Sequence, residues 1–173
     1  MPPSKKKRGQ AARGQPAGDG QLLEAVGEGD TAGVARLLTA GADPNASVPG
    51  RTASGEVFQS TALREAAGCG RLEAARLLLE AGADPSRADG DGTTPLMMAA
   101  GEGHLLVLRL LLGWGVAMQA VHPTTGGTAF HYACGRNHVE CAEALARAGC
   151  DVGAREQQIG GSGGSLEPPG PLS

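Results

Sequence analysis

Four side chains in one short stretch have the spacing of a metal site. His131, Cys134, His138 and Cys141 read HxxCxxxHxxC, and imidazole nitrogens with thiolate sulfurs are the donors that hold zinc tetrahedrally. The pattern is undercut by its own middle. Asn137 sits where a helix is expected to stop, so the four residues divide between two helices and need not converge. No HExxH, P-loop or paired nucleophile and base occurs elsewhere, and the Gly-x-Gly pieces "GDG" and "GEG" fall in predicted turns that require glycine anyway. The reading is therefore no catalytic residue, no cofactor and no metal.

Bulk properties narrow the class further. The 173 residues suffice for one domain. Leu and Ala supply the apolar content, and only four side chains are Phe, Tyr or Trp. That composition suits closely packed helices better than an aromatic-lined pocket. A formal charge of -3 with pI near 5.8 argues against a nucleic-acid partner. The longest apolar stretch, Leu105 to Met118, is interrupted by Arg109, Gly113 and Gly115. It falls short of the roughly 20 residues that cross a bilayer, so no membrane association is expected. The amino end has basic residues but no apolar run of the kind a signal peptide needs. Free thiols in a reducing compartment follow for the four cysteines. A cytoplasmic or nuclear location, or both, is expected; the basic run Lys5 to Arg8 reads either as an import signal or as a solvating start.

The elements that must position all of these residues come from a repeat. "TALREAAGCGRLEAARLLLEAGADP", "TPLMMAAGEGHLLVLRLLLGWGVAM" and "TAFHYACGRNHVECAEALARAGCDV" align on Thr61, Thr94 and Thr128, which lie 33 and 34 residues apart. A degenerate copy, "LLEAVGEGDTAGVARLLTAGADPN", precedes them. Each unit opens on Thr, whose hydroxyl can cap a free backbone N–H, and in the third copy Pro95 follows at a first helical position where its missing N–H is harmless. Gly29, Gly70, Gly103 or Asn137 then ends the helix, as residues that tolerate a left-handed conformation do. A second, Leu-rich helix runs to the next Gly. Neither helix is stable alone in water; a row of such pairs buries what one pair cannot.

The motifs "TPLMMA", "TALREA" and "TAFHYA", with "GADPN" and "GADPS" closing the first two units, resemble the ankyrin repeat over residues 21 to 155. The resemblance implies an all-α solenoid of stacked helix-turn-helix units with projecting β-hairpin-like loops. Four repeats are expected, at about 21–50, 59–90, 92–122 and 126–155. Residues 1–20 read as a disordered basic, Gly- and Pro-rich tail and 156–173 as a flexible Gly-, Ser- and Pro-rich one, each with almost nothing to bury. The 41-residue interval from Gly41 to Gly82 makes the first loop about eight residues longer than its siblings. The repeat also explains the apparent zinc site. His131 fills the motif histidine, Cys134 takes the place of Ala67 and Ala100, His138 that of His104, and Cys141 that of core-facing Val107. Arg64 and Met97 replace the motif histidine in the second and third units, which puts the polar contact it supports in doubt there.

The family's concave face is lined by hairpin tips and first helices. Carried onto this sequence, that face comprises Gln59, Ser60, Asp91, Thr93, Thr124 and Thr125 around the Thr positions. Cys69, Glu102 and Arg136 join it at the helix ends, and Arg64 and Met97 inside. Phe58, a large aromatic in the long loop, either tucks under that loop or anchors a partner. The function this implies is a non-enzymatic adaptor that binds another protein through the concave face and hairpin tips. Three alternatives stay open: an ankyrin-type inhibitor of a kinase or other regulatory protein; a metal- or redox-responsive regulator using the Cys and His residues of repeat four; and self-association through an uncovered carboxyl-terminal repeat. The second helix of repeat four has one Leu where that of repeat three has six, so the last repeat is expected to be the least stable.

Overall fold

A computed structural model describes residues 18–51 and 57–150, and of residues 50, 51, 57 and 58 the backbone only. The described residues form eight helices and one two-stranded sheet. The elements run α1 (Gly18–Glu28), α2 (Thr31–Thr39), β1 (Ser47–Arg51), β2 (Val57–Thr61), α3 (Ala62–Gly68) and α4 (Leu72–Glu80). They continue with α5 (Pro95–Gly101), α6 (Leu105–Gly113), α7 (Ala129–Gly135) and α8 (Val139–Arg147). Both the "KKKR" run and the carboxyl-terminal tail lie outside the described residues. No described helix is long and apolar enough to cross a membrane.

Two rows of helices result. The first helices α1, α3, α5 and α7 pack in succession, and so do the second helices α2, α4, α6 and α8. Between the rows lies one continuous core. Leu63, Leu78, Leu79, Leu96, Leu108 and Leu111 are buried in it, while Leu77, Leu110 and Leu112 pack partly covered at its margin. Small residues let the helices approach: Ala66, Ala67, Ala74, Ala75, Ala99, Ala100 and Ala133 have no appreciable exposure. This is the solenoid the periodicity requires. Each inner pair is closed by its neighbours on either side.

Each turn shows why the helices stop and restart so quickly. Gly103 has φ of +76°, and a Cβ there would lie 2.5 Å from Nδ1 of His138 on the next repeat. Gly70 is roofed in the same way by His104, whose Nε2 donates to the carbonyl of Gly68 at 3.0 Å. Gly29 lies under the guanidinium of Arg71, which donates to the carbonyl of Gly27 at 3.0 Å. Glycine thus serves twice, by adopting a left-handed φ and by leaving room for the next repeat's side chain. Asn137, with φ of +62°, meets only the first demand.

Three departures from the sequence reading appear. The described parts of the long first loop form two antiparallel strands, with Ser47 opposite Thr61 and Arg51 opposite Val57. Helix α1 begins at Gly18, three residues before position 21, with the Asp19 carboxylate accepting the N–H of Asp43 at 3.3 Å. Cys134 is exposed although its counterparts Ala67 and Ala100 are buried. Those alanines face the next repeat, whereas no described helix covers α7 on that side.

The last pair is also the thinnest. Helix α8 buries Cys141 and Leu145 only, against Val107, Leu108 and Leu111 on α6 and Ala74, Ala75, Leu78 and Leu79 on α4. Local opening follows buried apolar contact. Amide hydrogen exchange should therefore be faster in α7 and α8 than in α3 to α6; equal protection across these three pairs would contradict this ordering.

Candidate functional site

The inner face is built from the hairpins and the first-helix row. Three of the four first helices, α3, α5 and α7, have a Thr N-cap. The hydroxyls of Thr61 and Thr94 accept the N–H of Arg64 and Met97, both at 3.2 Å. In the fourth unit Thr128 and His131 form a capping box, in which Nδ1 of His131 accepts the Thr128 N–H at 3.2 Å and lies 2.8 Å from the Thr128 hydroxyl. A seven-residue helix is about 10 Å long. The caps therefore hold a line of hairpin tips about that far from a line of helix ends, with the helices as the floor between them.

The first two hairpins are registered on one another by backbone contact. The N–H of Gly90 donates to the carbonyl of Gln59 at 2.8 Å, and a Cβ on Gly90 would sit 3.0 Å from the Gln59 nitrogen. Asp89, buried with no side-chain exposure, organises the second hairpin. Its Oδ1 accepts the N–H of Asp91 at 3.0 Å and of Thr93 at 2.8 Å. Its Oδ2 lies 3.1 Å from Nε of Arg64, close enough for an ion pair though not aligned as a hydrogen bond. Arg64 also lies 3.5 Å from Glu65. The polar link between repeats that the missing motif histidine put in doubt is thus supplied by Arg64 and Asp89.

This geometry sorts the candidate residues. Gln59, Asp91, Thr124 and Thr125 are exposed on the tips, with Thr93 half-buried beside them. Cys69, Glu102 and Arg136 are exposed where α3, α5 and α7 end, and Arg136 pairs with Glu102 across neighbouring repeats. Two candidates are corrected. Met97 is 1% exposed, because its position on α5 is closed between the flanking repeats, and it cannot touch a partner. Ser60 is also 1% exposed: it sits on β2 next to the cap Thr61, facing inward, so it leaves the candidate face. Phe58 pairs through its backbone with Gly50, and its side chain lies outside the described residues.

Sequence reasoning left three residues that shape this face out of it. Asp89 was hidden among the polar residues of "ADGDGTT". Tyr132 and His131 line a groove of about 280 Å³ with Thr125, Gly127, Gly135 and Arg136. Only an accounting of which backbone N–H groups each hairpin leaves open could have found Asp89.

The family follows from this arrangement and from comparison with known proteins. A family model of ankyrin repeats, in three copies, matches residues 22–122 and 83–156. The chain belongs to the ankyrin repeat family. No curated protein matches it. Ankyrin repeats are generally protein–protein interaction modules and typically non-enzymatic.

The titratable groups of this ankyrin stack are arranged for structure. Among the described residues no three His, Cys, Asp or Glu side chains could hold a metal ion. The tempting quartet is dispersed: His131 is tied to Thr128, Cys134 faces outward, His138 covers Gly103 and Cys141 is in the core. Partial burial, then the Glu65 carboxylate 3.5 Å away, push the Cys69 thiol up from its ordinary value. Burial, and then Glu140, raise the Cys141 thiol. Neither cysteine has the depressed value of a nucleophile.

Proposed function

We propose that the protein is a non-enzymatic adaptor that grips a partner protein on the inner face. The partner would bind between the exposed tips at Gln59, Asp91, Thr124 and Thr125 and the helix ends at Cys69, Glu102 and Arg136. The observation that carries this reading is the rigidity of that frame. The first two tips are joined backbone to backbone, and the ends of α5 and α7 are joined by the Arg136–Glu102 pair. A partner docking on groups already in place loses little conformational entropy.

The test compares two surfaces. A Glu102→Ala, Arg136→Ala variant removes an exposed pair that contributes at most about 1 kcal/mol to folding. Its melting curve should overlay that of the wild-type chain. Its affinity for the bound partner should fall roughly tenfold or more, as loss of a central charged contact does. A variant of the outer face, Arg76→Ala with Glu143→Ala, should bind like the wild type. Equal binding by all three chains would remove the inner-face reading.

A second reading, self-association, is favoured by the outer side of repeat four, which no described helix covers. There Phe130, Cys134, Val139 and Ala142 line a groove of about 420 Å³, and Val139 is 57% exposed. Light scattering decides it: mass that rises with concentration in the wild type, and falls back with Val139→Glu, supports the reading, and a constant monomer mass ends it.

A further inference from the structure

The third hairpin is held by a histidine in the role that a carboxylate plays in the second. His122 is buried, at 8% exposure, and its backbone matches Asp89. The N–H of His122 donates to Gly127 at 2.9 Å as that of Asp89 donates to Thr93 at 3.0 Å. The carbonyls of His122 and Asp89 accept the N–H of Gly126 and Gly92. The side chains then do the same work with different chemistry. Asp89 Oδ1 accepts two tip amides, from Asp91 and Thr93. His122 Nδ1 accepts two tip amides, from Thr124 and Thr125, both at 3.3 Å. A carboxylate can do this at any pH where it is ionised. An imidazole can do it only while Nδ1 carries no proton, and imidazole is the side chain that changes charge between pH 5 and 8.

The consequence reaches the groove. Thr125, held by His122, places its hydroxyl 3.3 Å from the Tyr132 hydroxyl on α7 and accepts the N–H of Gly127 at 3.3 Å. The His122 and Tyr132 rings lie 6.1 Å apart. Thr125 and Tyr132 are walls of the groove that also contains His131 and Arg136. We propose that the hairpin of residues 122–127 is an acid-released wall of the inner face, closed by neutral His122 and opened when that ring gains a proton. Protonation turns Nδ1 into a donor aimed at two N–H groups, and both contacts are lost together. The titratable groups on the elements around the ring are Tyr132, His131 and Arg136 on α7, and Asp89 and Asp91 on the preceding hairpin, whose Gly92 lies under Pro123. Asp89 is committed to Arg64 and Arg136 to Glu102. The device does not depend on which partner the face binds.

The experiment is nitrogen-15 relaxation on the whole chain at pH 7.5 and pH 5.0, with the ring nitrogen shifts of His122 followed in the same samples. The expected result is a fall in the order parameters of the Thr124 and Thr125 amides from about 0.85 to below about 0.6 as His122 protonates. The Asp91 and Thr93 amides of the carboxylate-held hairpin should keep theirs. His122→Asp restores the sibling's chemistry and should keep the third hairpin ordered at both pH values; His122→Asn, an uncharged acceptor, serves if that variant folds poorly. Order retained at pH 5.0 in the wild type, or a ring that stays neutral there, overturns the proposal. So does acid loosening that persists in the His122 variants, which would trace it to His131.

Discussion

Asp89→Ala should lower the free energy of unfolding by about 3 kcal/mol. The side chain is fully buried and serves two structures at once. Removing it strips the acceptor from the amides of Asp91 and Thr93 and takes the counter-charge from Arg64, whose side chain is only 17% exposed. An uncompensated, partly buried guanidinium is the larger loss. Urea denaturation followed by circular dichroism measures the change, as a lower midpoint with an unchanged slope. Asp89→Asn, which keeps a carbonyl oxygen for the two amides but no charge, should cost less. A double-mutant cycle with Arg64→Met isolates the ion pair; Met is the residue that repeat three carries at that register, as Met97. A coupling energy near zero would show that Asp89 acts through the hairpin amides alone.

Leu111→Ala should cost about 2–5 kcal/mol, because the side chain is wholly buried in the α6 layer between repeats two and four. The cavity would open in the middle of the stack, where neighbouring repeats on both sides limit collapse. Leu106→Ala, on the same helix but 63% exposed, should change stability little. The contrast separates burial from helix propensity, since both substitutions replace Leu by Ala within α6. Similar losses for the two would contradict the core assignment.

Much of this architecture is legible in the sequence because a repeat tests each inference several times. Thr61, Thr94 and Thr128 predict three N-caps, and all three occupy that position. Gly29, Gly70, Gly103 and Asn137 predict four left-handed turns, and all four have positive φ. Local rules suffice there, because capping and turn conformation depend on a few neighbouring residues. The inner face was less legible. Met97 and Ser60 lie at register positions near that face, yet packing against adjacent repeats and strands encloses them, and sequence spacing does not show which neighbour covers a side chain. Asp89 and His122 were missed for a related reason. Their roles depend on amide groups left open by the hairpin, and the 34-residue interval before Thr128 displaces His122 from simple alignment with Asp89. The second role of the turn glycines, making room for Arg71, His104 and His138, likewise required the stacked neighbour to be present.

The claim that this ankyrin stack holds its partner on the inner face is tested most directly by placing a photo-reactive amino acid at single positions and irradiating the full-length chain in cells. Positions 69, 91, 102 and 125, on the exposed tips and helix ends, should each yield a cross-link to the same partner protein. Positions 76, 109 and 143, on the exposed side of the second-helix row, should yield none to it. Cross-links to that partner from the second-helix row, with none from the tips and helix ends, would contradict the account.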